Sequence, residues 1–423
     1  MVRGLSSSPL CGRCLLRTRR QLPASQPLDQ IRYSHSHPPP PPRSGYSHLT
    51  NRSLISLSGV DSTKFLQGLI TRNLAVPKNS PPATSPFYAA FLNSQGRILN
   101  DVFIYPSQTA NSTSPDELEY LIEVDKEHVA SLLKHFKRHK LRSKLKFRAL
   151  DEGERSVWAL WDGGNASTWH GDKSIIENDG MACLDNRAPG IGYRLIASGD
   201  KLQSQIKEAL PGDEVSLQTY TLRRILLGVA EGQAEMVRES ALPMDSNVDI
   251  MNGIDFRKGC YVGQELTIRT HHRGVVRKRI LPVQLYSPEE GPPTSDSPTY
   301  MPYTDVILPP AGIDVNISKA GAGKGRSAGK FLSGIGNVGL AVCRLEMMTD
   351  IALTGESTQY DANQEFKITW DAAEGESAEN VGETKIKAFI PPWIREYIVS
   401  GGARHRQPRG PAKSENYMEE PEA

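Results

Sequence analysis

The sequence predicts an α+β chain of several domains that ends in a small β-barrel. Three observations carry this expectation. With 423 residues the chain has room for two or three domains and a sizeable core. Up to about residue 275, amphipathic helical runs are interleaved with strand-like runs. Beyond Arg279, short strand-like runs recur without helices between them, the pattern of a small barrel.

The elements follow in order. Asp61 is placed to cap a helix whose Phe65, Leu66, Leu69 and Ile70 recur at helical spacing. Phe87 to Leu92 and Arg97 to Tyr105 read as strands joined by the turn Asn93 to Gly96, and Glu119 to Val124 as a third. Asp125 is placed to cap a second helix with Val129, Leu132, Leu133 and Phe136 on one face and Lys134, Lys137, Arg138 and Lys140 on the other. Arg142, Lys144, Lys146 and Arg148 bring the run to eight cations without an acid between 134 and 148. It reads either as a solvated helix face followed by an amphipathic strand, or as a surface for an anionic ligand or an acidic partner.

Residues 151 to 215 read as further strands and a helix, with Trp158, Trp161 and Trp169 as packing residues, and Leu217 to Leu227 as a third helix. Arg279 to Leu285 opens the strand-rich part. Pro288 to Lys330 is dense in Pro, Gly and Ser and without period, so a long, partly disordered insertion is expected there. Gly323-Lys324 and Gly329-Lys330 lack the following Ser or Thr of a phosphate loop. Strands are expected again at Phe331 to Val342, Ile351 to Ala352 and Phe366 to Thr369, ending near Ala388 to Trp393, with a disordered tail over 401–423.

Residues 1–37 hold six arginines, no lysine, one acid and several serines, the composition of a mitochondrial transit peptide, and a stiff Pro-rich spacer follows over 38–45. Removing that segment's six Arg and one Asp from the formal +2 leaves −3, a charge with no global pull on nucleic acid. No apolar run approaches the roughly 20 residues of a membrane span. Cys11 and Cys14 fall in the leader. The remaining Cys183, Cys260 and Cys343 form neither a disulfide framework nor a four-cysteine metal site, which fits a reducing compartment such as the matrix.

The most informative stretch is Lys258-Gly-Cys-Tyr-Val-Gly-Gln-Glu265. It sets Cys260 beside the cations Lys258 and Arg257, which would favour a thiolate, between Gly259 and Gly263, which permit tight turns, and ahead of Gln264 and Glu265, which offer hydrogen-bonding groups. The competing reading makes Cys260 a small core residue.

This string resembles the signature of the YgfZ family, folate-binding relatives of the glycine-cleavage aminomethyltransferase (GcvT), and above all its mitochondrial branch of iron–sulfur cluster assembly factors. Similar blocks flank it: Leu242 to Asp249, Asn252 to Phe256, Thr270 to Arg279, Gly59 to Asp61 with Phe65 to Gly68 and Thr71 to Asn73, Asn93 to Asp101, and Gly334 to Leu340. The resemblance covers residues from about 46 to about 395. It implies an aminomethyltransferase-like multi-domain fold, with a folate-binding region of two α+β subdomains over 46–275 and a C-terminal barrel over 276–400.

It also implies a function in the mitochondrial matrix: maturation of [4Fe-4S] client enzymes, of the aconitase type and radical-SAM enzymes such as lipoyl synthase. Cys260 would act there as a ligand to a [2Fe-2S] unit shared with an A-type iron–sulfur carrier protein. Lys258, Gly259, Tyr261, Gly263, Gln264 and Glu265 would form the surrounding site, with His271 and His272 as the nearest further ligand candidates. The alternative is a tetrahydrofolate-dependent one-carbon transferase, with Asp101 and Arg224 at the cofactor. Here the chain departs from the transferase: Leu226 stands where that enzyme has a pterin-gripping glutamate, and Asn100-Asp101 where it has paired aspartates. Each missing charged hydrogen bond weakens folate binding by about 1 to 3 kcal/mol. An assembly factor on a transferase fold is therefore expected before an enzyme. Thiol catalysis has no recognisable base or oxyanion site in the sequence.

Overall fold

The computed structural model describes residues 37–74, 85–108, 118–163, 181–198, 212–318, 326–353, 360–371 and 382–401. Residues 1–36 of the expected leader, the tail beyond 401, and Trp169 lie outside these residues. In chain order the N-terminal half holds β1 (Gly45–His48), β2 (Arg52–Ser58), α1 (Ser62–Gln67), β3 (Phe87–Leu92), β4 (Ile98–Gln108), β5 (Leu118–Asp125), α2 (Val129–Lys140), β6 (Lys146–Ala149), β7 (Arg155–Trp161), β8 (Met181–Leu184) and β9 (Tyr193–Ser198). Then come β10 (Asp213–Glu214), α3 (Leu217–Leu227), α4 (Gln264–Arg273), β11 (Lys278–Tyr286), β12 (Asp314–Ile317), β13 (Gly329–Ile335), β14 (Val338–Arg344), α5 (Leu345–Met348), β15 (Phe366–Trp370), β16 (Gly382–Ala388) and α6 (Pro392–Val399).

The strands make two five-stranded sheets, β3-β4-β5-β2-β6 and β10-β1-β7-β9-β8, and a closed six-stranded barrel, β11-β14-β13-β12-β15-β16. The central strands of the first sheet are buried on both faces. Ile104 and Ile122 point to α1 and α2, joining Phe65, Leu66, Leu132 and Phe136. Their neighbours Phe103 and Leu121 point the other way, joining Val157 and Ile196 of the second sheet, Leu222 and Ile225 of α3, and Leu332 and Leu340 of the barrel. Such strands read as continuous apolar runs because period-two alternation serves two cores at once.

Several local expectations are corrected. Asp61 does not cap α1 with its side chain; its carboxylate accepts from Lys144 N at 2.6 Å and ties the helix start to the loop after α2. Asp125 does cap, accepting from Glu127 N at 3.0 Å at the head of a 3₁₀ turn that runs into α2. The segment from Pro288 to Lys330 contributes β12, whose Val315 and Ile317 face the barrel core, and the first residues of β13. A four-residue strand with two inward apolar side chains leaves too little period to detect. Ahead of it, Thr299 N and Met301 N donate to Gln284 Oε1 and Asn337 Oδ1, so this part of the loop is docked on the barrel. Ile351 and Ala352 form no strand.

The Pro-rich stretch also lies against the molecule rather than standing off as a spacer: Pro38 O accepts from Tyr300 Oη at 2.6 Å and Pro42 O from Trp161 Nε1 at 3.0 Å. Trp158 and Trp161 are buried, as packing residues should be.

Candidate functional site

The signature loop is assembled by three blocks that are remote in sequence. Thr71 Oγ1 donates to Gly253 O at 2.5 Å, Asp255 N to Thr71 O at 2.9 Å, and Val262 N to Gly68 O at 3.0 Å, so the loop lies along the chain that leaves α1. Lys258 completes the seam. Its ammonium donates to the carbonyl oxygens of Gln67, Ile70 and Arg72 at 2.8, 2.5 and 3.0 Å and sits 4.7 Å from the centre of the Tyr261 ring. Burial lowers its pKa to about 8, with Asp255 opposing.

The third block is the β3–β4 turn. Gly263, at φ 81°, presses on it so closely that a Cβ there would stand 2.2 Å from Asn93 O. Gly96, at φ 78°, faces Gly263 O and Leu266 in return. Here a left-handed backbone and a lack of room both require glycine. Gln264 closes the loop onto itself: Tyr261 N donates to Gln264 Oε1 at 3.2 Å, and Gln264 N to Tyr261 O at 3.3 Å. Tyr261 is buried among the residues of the main core. Gly259 is different, since a Cβ there would meet nothing within 4 Å.

On this tied-down loop Cys260 is exposed, which overturns the core-cysteine reading. The role expected of Lys258 needs a correction. All three protons of the Lys258 ammonium are committed to backbone carbonyls, so this lysine holds the loop and not the sulfur. A separation of two residues in a turning loop fixes no common direction for two side chains. Glu265 is exposed in the first turn of α4. His271 and His272 are exposed on its last turn, with the His271 ring stacked on Phe256 at 3.7 Å and 8°. Among the described residues no three His, Cys, Asp or Glu side chains gather as a metal site.

Asp101 and Arg224, named for a folate, lie elsewhere, in a buried network of four arginines and five carboxylates. Arg52 pairs with Asp101 and Glu123; Arg194 with Glu123, Asp185 and Glu231; Arg187 with Asp185 and Glu231; Arg224 with Glu231 and Glu235. The network draws on both sheets and α3, and Ser333 of the barrel donates to Glu235 at 3.0 Å. Arg187 lies over the rings of Tyr88 and Phe103 at 5.4 and 5.0 Å, and Arg194 over Phe103 and Tyr220 at 5.0 and 5.5 Å.

These residues do not fit a pterin. Asp101 is 0% exposed, one of its oxygens being met by Arg52, Gly232 N and Gln233 Nε2. Its other oxygen is buried and lacks a partner. Arg224 is spent on Glu235 and Val229 O. The aromatic faces that would stack a flat ring carry guanidinium groups. A cavity of about 450 Å³ does open between Arg97, the segment 235–246 and the barrel, but neither Asp101 nor Arg224 lines it.

The sequence reading missed this network, although its signal is present: single charges inside apolar strands, as in Tyr193-Arg-Leu-Ile196 and Leu121-Ile-Glu-Val124. A charge at an inward strand position needs a buried partner.

Comparison with known proteins agrees with this architecture. Residues 277–396 match the CAF17 C-terminal beta-barrel domain. The glycine cleavage system aminomethyltransferase T of Bartonella henselae shares the fold, with a TM-score of 0.54 at 12% identity over 85% of this chain and 87% of the other. The iron–sulfur cluster assembly factor IBA57 homologue, mitochondrial, of Coccidioides immitis (strain RS) is 57% identical over 95% of both chains. The protein of that name from Aspergillus oryzae is 52% identical over 93% of this chain and 91% of its own. The chain belongs to this family of mitochondrial iron–sulfur cluster assembly factors.

Proposed function

We propose that the chain matures [4Fe-4S] proteins in the mitochondrial matrix, with Cys260 as its one thiolate ligand to a cluster carried by an A-type iron–sulfur carrier protein. The exposure of Cys260 on a loop that Lys258, Tyr261 and Gln264 hold in place supports this most directly. Such a thiol reaches a partner's cluster without first ordering its own loop, a cost that binding otherwise bears.

A cluster takes about four Cys or His ligands. This loop supplies one, so the remainder belong to the partner. Cys183 and Cys343 are poor candidates, since burial pushes both thiols well above the usual range and a ligand must be deprotonated. Glu265, exposed beside the loop, and the His271–His272 pair at the far end of α4 offer polar groups for the carrier's surface. Clients of the aconitase type and radical-SAM enzymes such as lipoyl synthase follow from the same reading. The arginine-filled centre counts against tetrahydrofolate as a ligand there.

The test is aconitase activity per unit of aconitase protein in mitochondria lacking the chain, with wild type or Cys260→Ala restored. A deficit repaired by wild type alone is expected. Normal aconitase throughout would overturn the reading and bring forward the folate transferase, which turnover of tetrahydrofolate by the purified chain would reveal.

A further inference from the structure

Helix α2 ends on a residue that the fold does not call for. Leu141 has φ 44° and ψ −113°, and Ser143 N donates back to Lys140 O at 2.8 Å. These angles belong to the first central position of a type II′ turn, where glycine is the residue without strain. The leucine there is 88% exposed, so no packing within the described residues offsets that strain.

Its surroundings are cationic. The stripe of α2 that faces the core is Leu132 and Phe136, which leaves Lys134, Lys137 and Arg138 on the outer face, leading up to Leu141. Arg142, Lys144 and Lys146 are exposed just beyond. Of the eight cations between 134 and 148, Arg148 alone is paired with a carboxylate among the described residues, that of Glu154. His135 adds no charge at neutral pH, because burial and the neighbouring His139, Arg238 and Arg138 lower its pKa to about 4.

We propose that this turn docks on a bilayer bearing anionic headgroups, with Leu141 entering the boundary between headgroups and acyl chains while the cations around it meet lipid phosphates. An acidic protein surface would satisfy the cations and leave the leucine unexplained. A bilayer accepts both, since interfacial binding combines buried apolar area with attraction to anionic lipid.

The test is the full chain carrying Leu141→Trp, its emission read as a difference against the unsubstituted chain, so that other segments of the protein do not contribute. Vesicles of phosphatidylcholine with cardiolipin should shift this emission to the blue, and vesicles of phosphatidylcholine alone should not. No shift, or a shift with soluble polyglutamate and none with vesicles, overturns the proposal, the second outcome in favour of an acidic protein. Leu141→Gly supplies an independent arm. It should raise the melting temperature and weaken binding to the cardiolipin vesicles several-fold; a lowered melting temperature would mean that the fold holds the leucine after all, and would overturn the argument from strain.

Discussion

Lys258 Nζ lies 2.8 Å from the carbonyl oxygen of Gln67, a residue 191 positions earlier, and reaches the carbonyls of Ile70 and Arg72 from the same point. One side chain thereby fastens the signature loop to the end of α1. Lys258→Met leaves three carbonyls without this donor and should lower stability by about 1–3 kcal/mol, measured as a reduced urea midpoint. Lys258→Arg should not restore it, because a planar fork cannot direct donors to three acceptors gathered around one point.

The two signature glycines should separate cleanly. Gly263→Ala drives a methyl into Asn93 O from a left-handed backbone and should cost more than about 1–3 kcal/mol, the cost of that conformation alone. Gly259→Ala meets open space and should change stability by less than about 0.5 kcal/mol. Thermal unfolding of the pair measures the difference, and equal losses would mean that the loop is packed otherwise.

Cys260→Ser should leave stability within about 0.5 kcal/mol of wild type, since the thiol is exposed, while aconitase rescue is lost. A large fall in melting temperature would return Cys260 to a packing role.

The buried charges behave as a unit. Arg194 pairs with three of the five carboxylates and is itself fully enclosed. Arg194→Met takes one cation from the interior, leaving Glu123, Asp185 and Glu231 with only their other arginines, and should cost about 3–5 kcal/mol, read from denaturant unfolding. A loss near zero would mean that solvent reaches the centre.

The site was more legible in the sequence than the centre of the fold. Cys260, Gly263 and Gln264 stand in one short string whose composition points to a built loop, and the blocks around Gly68, Thr71 and Asn93 prove to be the surfaces on which it rests. Direction was not legible: Lys258 sits two residues from Cys260 and turns to another part of the chain. Asp101 and Arg224 were seen as single residues, because ion pairs such as Arg52 with Glu123 join strands 71 positions apart and leave no local pattern. Strand β12 escaped for the opposite reason, having too few inward residues to show a period.

Asp245 lines the cavity between the segment 235–246 and the barrel, together with Lys278 and Arg344. Burial raises its pKa to about 6, aided by Asp249 and opposed by Lys278, Arg279 and Arg344. A carboxyl raised in this way favours the native state only while it is protonated. Between its ordinary value near 3.9 and about 6 the native chain holds the extra proton, so the group's contribution falls as pH rises through that window and stays at its lowest above it. Asp245→Asn removes the penalty. The variant should match wild type near pH 4 and exceed it by about 1–2 kcal/mol at pH 7, a figure reduced from the full shift because the side chain is partly open to solvent. Urea unfolding at pH 4, 5, 6 and 7 measures the gap; one that stays constant with pH would place the titration elsewhere.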